Sequence, residues 1–137
     1  MYLCLQEKAT PKKSISFEID LTDLKFEELL GQGTFGAVFR GRWKSKGFDV
    51  ALKKVNCSPD ASDAQTMMEL GKHPNIISFY GFAYNFPETI IVTALSKKGS
   101  LYNYLHVKKE KPTEQQSLSW AKHIAYGTHA HAQLHPS

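Results

Sequence analysis

Three glycines, Gly31, Gly33 and Gly36, fall within one short stretch, LLGQGTFGAVFRG, that runs from Leu29 to Gly41. Glycine loses more conformational freedom on folding than any other residue. A chain that carries three of them at the spacing G-x-G-x-x-G needs its backbone close to something, and the usual something is phosphate. The spacing alone does not say which phosphate-binding fold is present.

The surrounding pattern narrows the choice. LKFEELLGQ before the glycines and GAVFRGRWK after them alternate or run apolar and aromatic, as strands do. The turn KSKG, residues 44–47, leads into FDVALKKV, with Val50, Leu52 and Val55 in strand-like places. NCSPDASD is loop chemistry whose Ser62 or Asp63 suits a helix cap. A short helix is expected through AQTMMELGK, with Met67 and Leu70 on one face, Gly71 to end it and Pro74 beyond. Two more strands are expected, NIISFYGFAY and ETIIVTAL, parted by Asn85 and Pro87. SLYNYLHVKK reads as a short helix starting at Ser100, and EKPTEQ as a loop. Residues 116–134 read as a longer helix with Leu118, Ala121, Ile124 and Ala125 at helical spacing. The order is three strands, a helix, two strands, then helices, which is an α+β chain.

Two folds use this glycine spacing. In a dinucleotide-binding Rossmann unit the third glycine opens a helix, and an acidic residue ends the next strand. Here Gly36 is followed by a strand, and Asp49 precedes a strand instead of ending one. In the other fold the glycines join two antiparallel strands, with a valine two residues past the last glycine and a V-A-I-K-like strand downstream. Gly36-Ala37-Val38 and Val50-Ala51-Leu52-Lys53 supply both, in the right order.

On those residues the chain, from about Leu24 to Leu134, resembles the N-terminal lobe of a protein kinase. His73-Pro74-Asn75-Ile76-Ile77 resembles the segment between that lobe's helix and fourth strand. Ile91-Val92-Thr93 resembles the fifth strand, and Gly99-Ser100-Leu101 the start of the next helix. Phe79-Tyr80-Gly81, Ile91-Val92-Thr93, Gly99-Ser100-Leu101-Tyr102 and Trp120-Ala121 are similar to mixed-lineage MAP kinase kinase kinases of the tyrosine-kinase-like branch, especially the type with a leucine zipper and a SAM domain. The resemblance implies a five-stranded antiparallel sheet plus one helix, then a hinge and the first helices of a truncated C-lobe. It divides the chain into a polar tail (1–16), an N-lobe (17–93), a hinge (94–99) and two helices of an incomplete C-lobe (100–137).

The same resemblance implies roles. The backbone of Gly31, Gln32, Gly33, Thr34, Phe35 and Gly36 would cover the phosphates of ATP, with Phe35 shielding the tip from water. Leu30, Val38 and Ala51 would roof the adenine. Lys53 would hold the α- and β-phosphates. Thr93 would stand at the back of the pocket. Ala94, Leu95 and Ser96 would form the hinge, reading the adenine edge with main-chain groups. The family pairs the lysine with a helix glutamate. Alignment on Gly71-Lys72-His73 puts Asp63 there, with about 1.5 Å less reach, one carbon–carbon bond. A shift of one residue puts Ala64 there instead, and Asp63 serves equally as a helix cap.

Bulk properties exclude several classes. The chain has 137 residues, a formal charge of +4 and scattered lysine pairs, which make no arm for nucleic acid. Cys4 and Cys57 make no disulfide framework. No apolar run approaches a membrane span, and the N-terminus lacks a signal peptide's apolar stretch. A cytoplasmic setting is expected. His131 and His135 have the i, i+4 spacing of a helical zinc pair, but lack a glutamate between them and further ligands.

The family's H-R-D and D-F-G motifs, which carry the base and the Mg²⁺ ligands, do not occur in these residues. The expectation is therefore an ATP-binding part of a Ser/Thr MAP kinase kinase kinase, inactive by itself, with Mg²⁺ requiring the missing lobe. Its partners would be ATP and a protein substrate or partner kinase. The alternative is a non-catalytic, pseudokinase-like module that docks on another kinase. A small nucleotide-binding protein of unrelated fold would need a helix directly after Gly36. Leu118 and Ile124 are expected to be left exposed.

Overall fold

The computed structural model describes residues 17–34, 36–56, 68–70 and 72–134. Five strands form one antiparallel sheet: β1 (Leu24–Gly33), β2 (Gly36–Trp43), β3 (Phe48–Val55), β4 (Phe79–Asn85) and β5 (Glu88–Ala94). Their spatial order is β1-β2-β3-β5-β4. A 3-10 turn, Leu21–Asp23, precedes the sheet. A π-helical turn, Asn103–Val107, and a long helix, α1 (Glu114–Leu134), follow it.

The period-2 pattern read from FDVALKKV decides which face becomes core. Val50 and Leu52 are fully buried on one side of β3, and in register they meet Ala94 and Val92 of β5. Ile90 and Ala83 extend that layer across β5 and β4, and Ile19 and Leu24 close its ends. Full burial of an aliphatic side chain of this size contributes about 1.5–3 kcal/mol, so the Val50–Leu52–Ile90–Val92 patch is what holds the sheet. Trp43, Phe48 and Tyr80 pack around the end of the sheet near the β2–β3 turn, with ring centroids 5.5 to 6.0 Å apart. The indole N–H of Trp43 donates to Asp23 Oδ2 at 2.7 Å, which ties β2 to the turn before β1.

The outer side of β4 is not left bare. The Ile19 amide donates to the Phe82 carbonyl at 2.8 Å, and the Phe82 amide to the Phe17 carbonyl at 2.9 Å. Pairing this edge removes a template for unwanted strand addition.

Three boundaries differ from the sequence reading. The fourth strand begins at Phe79, not Asn75, because residues before it form a turn. The Asn75 amide donates to His73 Nδ1 and the Ile76 amide to the His73 carbonyl. The long helix starts at Glu114, inside the segment read as a loop. Thr113 and Gln116 cap it reciprocally: the Gln116 amide donates to Thr113 Oγ1, and the Thr113 amide to Gln116 Oε1. The helix expected at 100–109 is capped as read, with the Asn103 amide donating to Ser100 Oγ, but it widens into a π turn. Residues 68–70 are helical. The expected helix cap at Ser62 or Asp63, with Met67 and Gly71, lies outside the described residues.

Candidate functional site

The register of β2 and β3 assembles the site. Val38 is paired with Lys53, and Arg40 with Ala51. Lys53 is in turn opposite Ile91, and Ala51 opposite Thr93. Side chains two apart on a strand share a face. Val38, Arg40, Ala51, Lys53, Ile91 and Thr93 therefore line the face opposite the Leu52 core. Gly31 of β1 is the partner of Val38, which brings the first glycine into the same row. Val38, Ala51, Lys53 and Thr93 are all half-buried.

Gly33 and Gly36 pair with each other, so β1 and β2 are joined by a tight connection that Thr34 enters. A strand, not a helix, follows Gly36, which removes the Rossmann reading. Gly31 and Gly33 have nothing within 4 Å of where a β-carbon would stand, so their backbone faces open space. Gly36 is different: its φ is +128°, and a β-carbon there would run into the carbonyl of Lys54. Gln32 pairs with Ala37 beside them, and Leu30 is 43% exposed at an irregularity of β1.

The two adjacent lysines are separated by the strand pleat. Lys54 turns to the core side, with its Nζ 3.3 Å from Glu88 Oε2 and within 5.2 and 5.6 Å of the Phe26 and Phe39 ring centroids. The Lys53 side chain makes no hydrogen bond or ion pair with another described residue, while its backbone belongs to the β3 ladder. It is a cation on the glycine side of the sheet, which is what a bound anion requires.

At the end of β5 the Ala94 amide donates to the Ser78 carbonyl at 2.9 Å, and Thr93 Oγ1 donates to the Ala94 carbonyl at 3.2 Å. The Ser96 carbonyl accepts from the Gly99 amide in the following turn. Ala94 and Ser96 thus stand on adjoining stretches of backbone at the end of β5. Phe35 and Asp63 lie outside the described residues, so the pairing of Asp63 with Lys53 is not part of this geometry.

An ionic network that the sequence reading missed adjoins the site. Arg40 Nη2 donates to Asp49 Oδ2 at 2.9 Å, and its other nitrogens lie 3.6 Å from Glu27 and Glu28. Arg42 Nη1 donates to the second oxygen of Asp49 at 2.8 Å. Hydrogen bonds from Arg42 and then Arg40 hold the Asp49 carboxyl below the usual carboxylate range. Glu27 and Glu28 fall where β1 slips register, and an irregularity of this kind leaves no mark in a hydropathy pattern. A cleft of about 400 Å³ lies elsewhere, bordered by Leu70, Ile76, Ile124 and Gly127. Among the described residues no lysine or arginine lines it; His131 is the one basic side chain at its border.

A family model described as protein tyrosine and serine/threonine kinase matches residues 24–133. The chain belongs to the protein kinase family. Its five-stranded antiparallel sheet and the helices after it are those of a kinase N-lobe with part of a C-lobe. Among its relatives is the human Mitogen-activated protein kinase kinase kinase 7, 32% identical over 131 residues, which covers 91% of this chain and 20% of the relative. The mouse protein of the same name is 32% identical, with 91% of this chain and 21% of the relative covered. A probable serine/threonine-protein kinase, gdt9 of Dictyostelium discoideum, is 33% identical over 98 residues, 69% of this chain and 6% of the relative. The chain thus spans about a fifth of the length of the first of these kinases and less of the last. Among the described residues no helix is long and apolar enough to cross a membrane, and no group of three or more His, Cys, Asp or Glu is placed to hold a metal ion.

Proposed function

We propose that this chain is the ATP-binding part of a Ser/Thr protein kinase of the MAP kinase kinase kinase type. The observation that carries this is the row formed by Gly31, Val38 and Lys53, with Ala51 and Thr93 one residue pair away on the same face. The residues fit a nucleotide in three ways. Gly31 and Gly33 offer bare backbone with open space beside it. Lys53 offers a positive charge that no described group occupies. Val38 and Ala51 offer a small apolar surface next to them.

In this reading the amides from Gly31 to Gly36 meet the triphosphate, and Phe35 covers the tip. Lys53 neutralises the α- and β-phosphates, with Asp63 as its anion if the helix brings them together. Leu30, Val38 and Ala51 hold the adenine, and Thr93 limits the depth of its pocket. The Ala94 carbonyl accepts from the adenine edge and the Ser96 N–H donates to it. Phosphoryl transfer depends mainly on positioning and charge neutralisation, and these residues supply the half of it that belongs to the nucleotide. The bound ATP would bring the phosphoryl group, and the described residues offer no ligand set for Mg²⁺. The chain contains neither an H-R-D nor a D-F-G triplet. We therefore assign to this polypeptide alone nucleotide binding without transfer, and to the whole kinase transfer of the γ-phosphate to protein hydroxyls.

Calorimetric titration of the purified chain with ATP tests this. Binding that disappears in Lys53→Ala, with the fold retained by circular dichroism, is the expected result. Equal affinity of Lys53→Ala and the unaltered chain would overturn the assignment. Autophosphorylation that is lost in Lys53→Ala would overturn the inactivity.

A further inference from the structure

β1 is not fixed over the sheet by pairing alone. Its register slips between Phe26 and Leu29 and again between Leu29 and Gly31. A bulge leaves a residue out of the ladder and bends its strand, so the height of the segment that carries Leu30 and Gly31 needs another restraint.

Glu27 and Glu28 occupy the first slip. Consecutive residues of a regular strand point to opposite faces, yet both carboxylates reach one side chain. Glu27 Oε2 is 3.6 Å from Arg40 Nε, and Glu28 Oε1 is 3.6 Å from Arg40 Nη1. The third edge of the same guanidinium donates to Asp49 on β3 at 2.9 Å. The planar fork of arginine thus joins β1, β2 and β3, which the single charge point of a lysine does not reproduce. Arg40 Nε is buried without a hydrogen bond, so Glu27 is the group that offsets its charge. Single exposed ion pairs stabilise little, and the side chains here are 31% to 64% exposed. The network is better suited to fixing geometry than to supplying stability. Its place fits that use: Arg40 is two residues from Val38 and directly opposite Ala51.

We propose that Arg40 is a positioning residue for nucleotide binding, clasping the Glu27–Glu28 bulge of β1 to β3 so that Leu30 and Gly31 lie at a fixed height over Val38, Ala51 and Lys53. This rests on the nucleotide reading above. Arg40 touches no phosphate in this role, since three carboxylates already hold it.

The test uses the 137-residue chain and ATP. Arg40→Gln, Arg40→Lys and Glu28→Gln are compared with the unaltered chain by calorimetric titration, thermal unfolding and amide hydrogen exchange. Residues that act on a site without touching its ligand shift affinity by about two- to thirtyfold. Arg40→Gln is expected to weaken ATP within that range and to speed exchange of the amides at 29–34, leaving exchange in β5 unchanged. Arg40→Lys is expected to recover only part of both effects. Unchanged affinity with unchanged exchange at 29–34 would overturn the proposal. So would a loss of affinity matched by faster exchange throughout the sheet, which marks a merely structural role. Should Arg40→Gln fail to fold, Glu28→Gln removes one of the two bulge contacts and leaves Arg40 with Glu27 and Asp49, and the same two readouts decide. If the unaltered chain does not bind ATP, the nucleotide reading fails, and the exchange rates at 29–34 still judge the clasp.

Discussion

A β-carbon on Gly36 would lie 1.9 Å from the carbonyl oxygen of Lys54, on a backbone whose φ is +128°. The third glycine is thus held by the sheet itself, on both conformational and steric grounds. The first two glycines are not, because Gly31 and Gly33 face open space. Gly36→Ala is expected to destabilise the chain by about 2 kcal/mol or more, from strain and displacement of β2. Gly31→Ala and Gly33→Ala are expected to stay within about 1 kcal/mol of the unaltered chain, while weakening ATP binding. Urea unfolding paired with ATP titration separates the two classes. Equal stability losses at all three glycines would contradict the division.

Neighbouring lysines should fail in opposite ways. Lys54 is tied to Glu88 and to the Phe26 and Phe39 rings, whereas Lys53 lies on the far face opposite Val38. Lys54→Met is expected to cost about 1 kcal/mol of stability, the usual size of a partly exposed ion pair with a cation–π contact. ATP affinity should remain. Lys53→Met is expected to lower ATP affinity about tenfold or more, by removal of a charge-assisted contact, with the unfolding midpoint unmoved. A loss of ATP binding in Lys54→Met at temperatures where it is folded would count against the assigned register of the site.

The contrast between these lysines was legible in the sequence, and the contrast among the glycines was not. Val38 and the Val50–Lys53 run fix the strand pairing, because a pleated strand leaves only one face for Ala51 and Lys53 once Val50 and Leu52 are buried. What a given glycine meets depends on the neighbouring strand's backbone, and no residue type in the motif announces the Lys54 carbonyl. The Arg40 clasp was hidden for a similar reason. Nothing in the run LKFEELLGQ announces the slip in β1 that brings both Glu27 and Glu28 to Arg40. The early start of α1 was written in Thr113 and Gln116, a reciprocal cap that the adjacent Pro112 disguised as loop. The exposure expected at Leu118 and Ile124 is present, at 58% and 57%.

The core should be sensitive at one place above others. Leu52 is fully buried, and its Cδ1 fills the space beside Gly41, where a β-carbon would come within 2.3 Å of it. Leu52→Ala is expected to cost about 2–5 kcal/mol, from lost transfer energy and the cavity left behind. Gly41→Ala overpacks the same spot and is expected to cost about 1–3 kcal/mol. The Gly41→Ala/Leu52→Ala pair should be less destabilised than the sum, because the deleted side chain vacates part of the space. Recovery stays partial, since the Lys25 carbonyl would still lie 2.7 Å from the new methyl group. Chemical unfolding of the single and double variants measures the coupling. Strict additivity would show that Gly41 is not held small by Leu52.

Acid should loosen the junction between the 3-10 turn and β2. The Asp23 carboxyl is held below its ordinary value of 3.8, first by the Ser45 hydroxyl, with the Ser45 amide and the Trp43 indole adding to it. A carboxyl whose pKa is depressed on folding stabilises the fold above its unfolded value and loses that contribution as pH falls through the folded one. The window therefore lies from 3.8 downward. Asp49, depressed by Arg42 and Arg40, titrates in the same direction and shares the window. Asp23→Asn is expected to lower the thermal midpoint at neutral pH and to flatten its decline below pH 3.8, because the variant no longer gains a proton at this position on unfolding. Trp43 reports the event locally, and replacing Trp120 by Phe leaves its indole as the single emitter. An acid decline equally steep in Asp23→Asn and in the unaltered chain would show that the Asp23–Ser45–Trp43 contacts do not govern the acid stability of this junction.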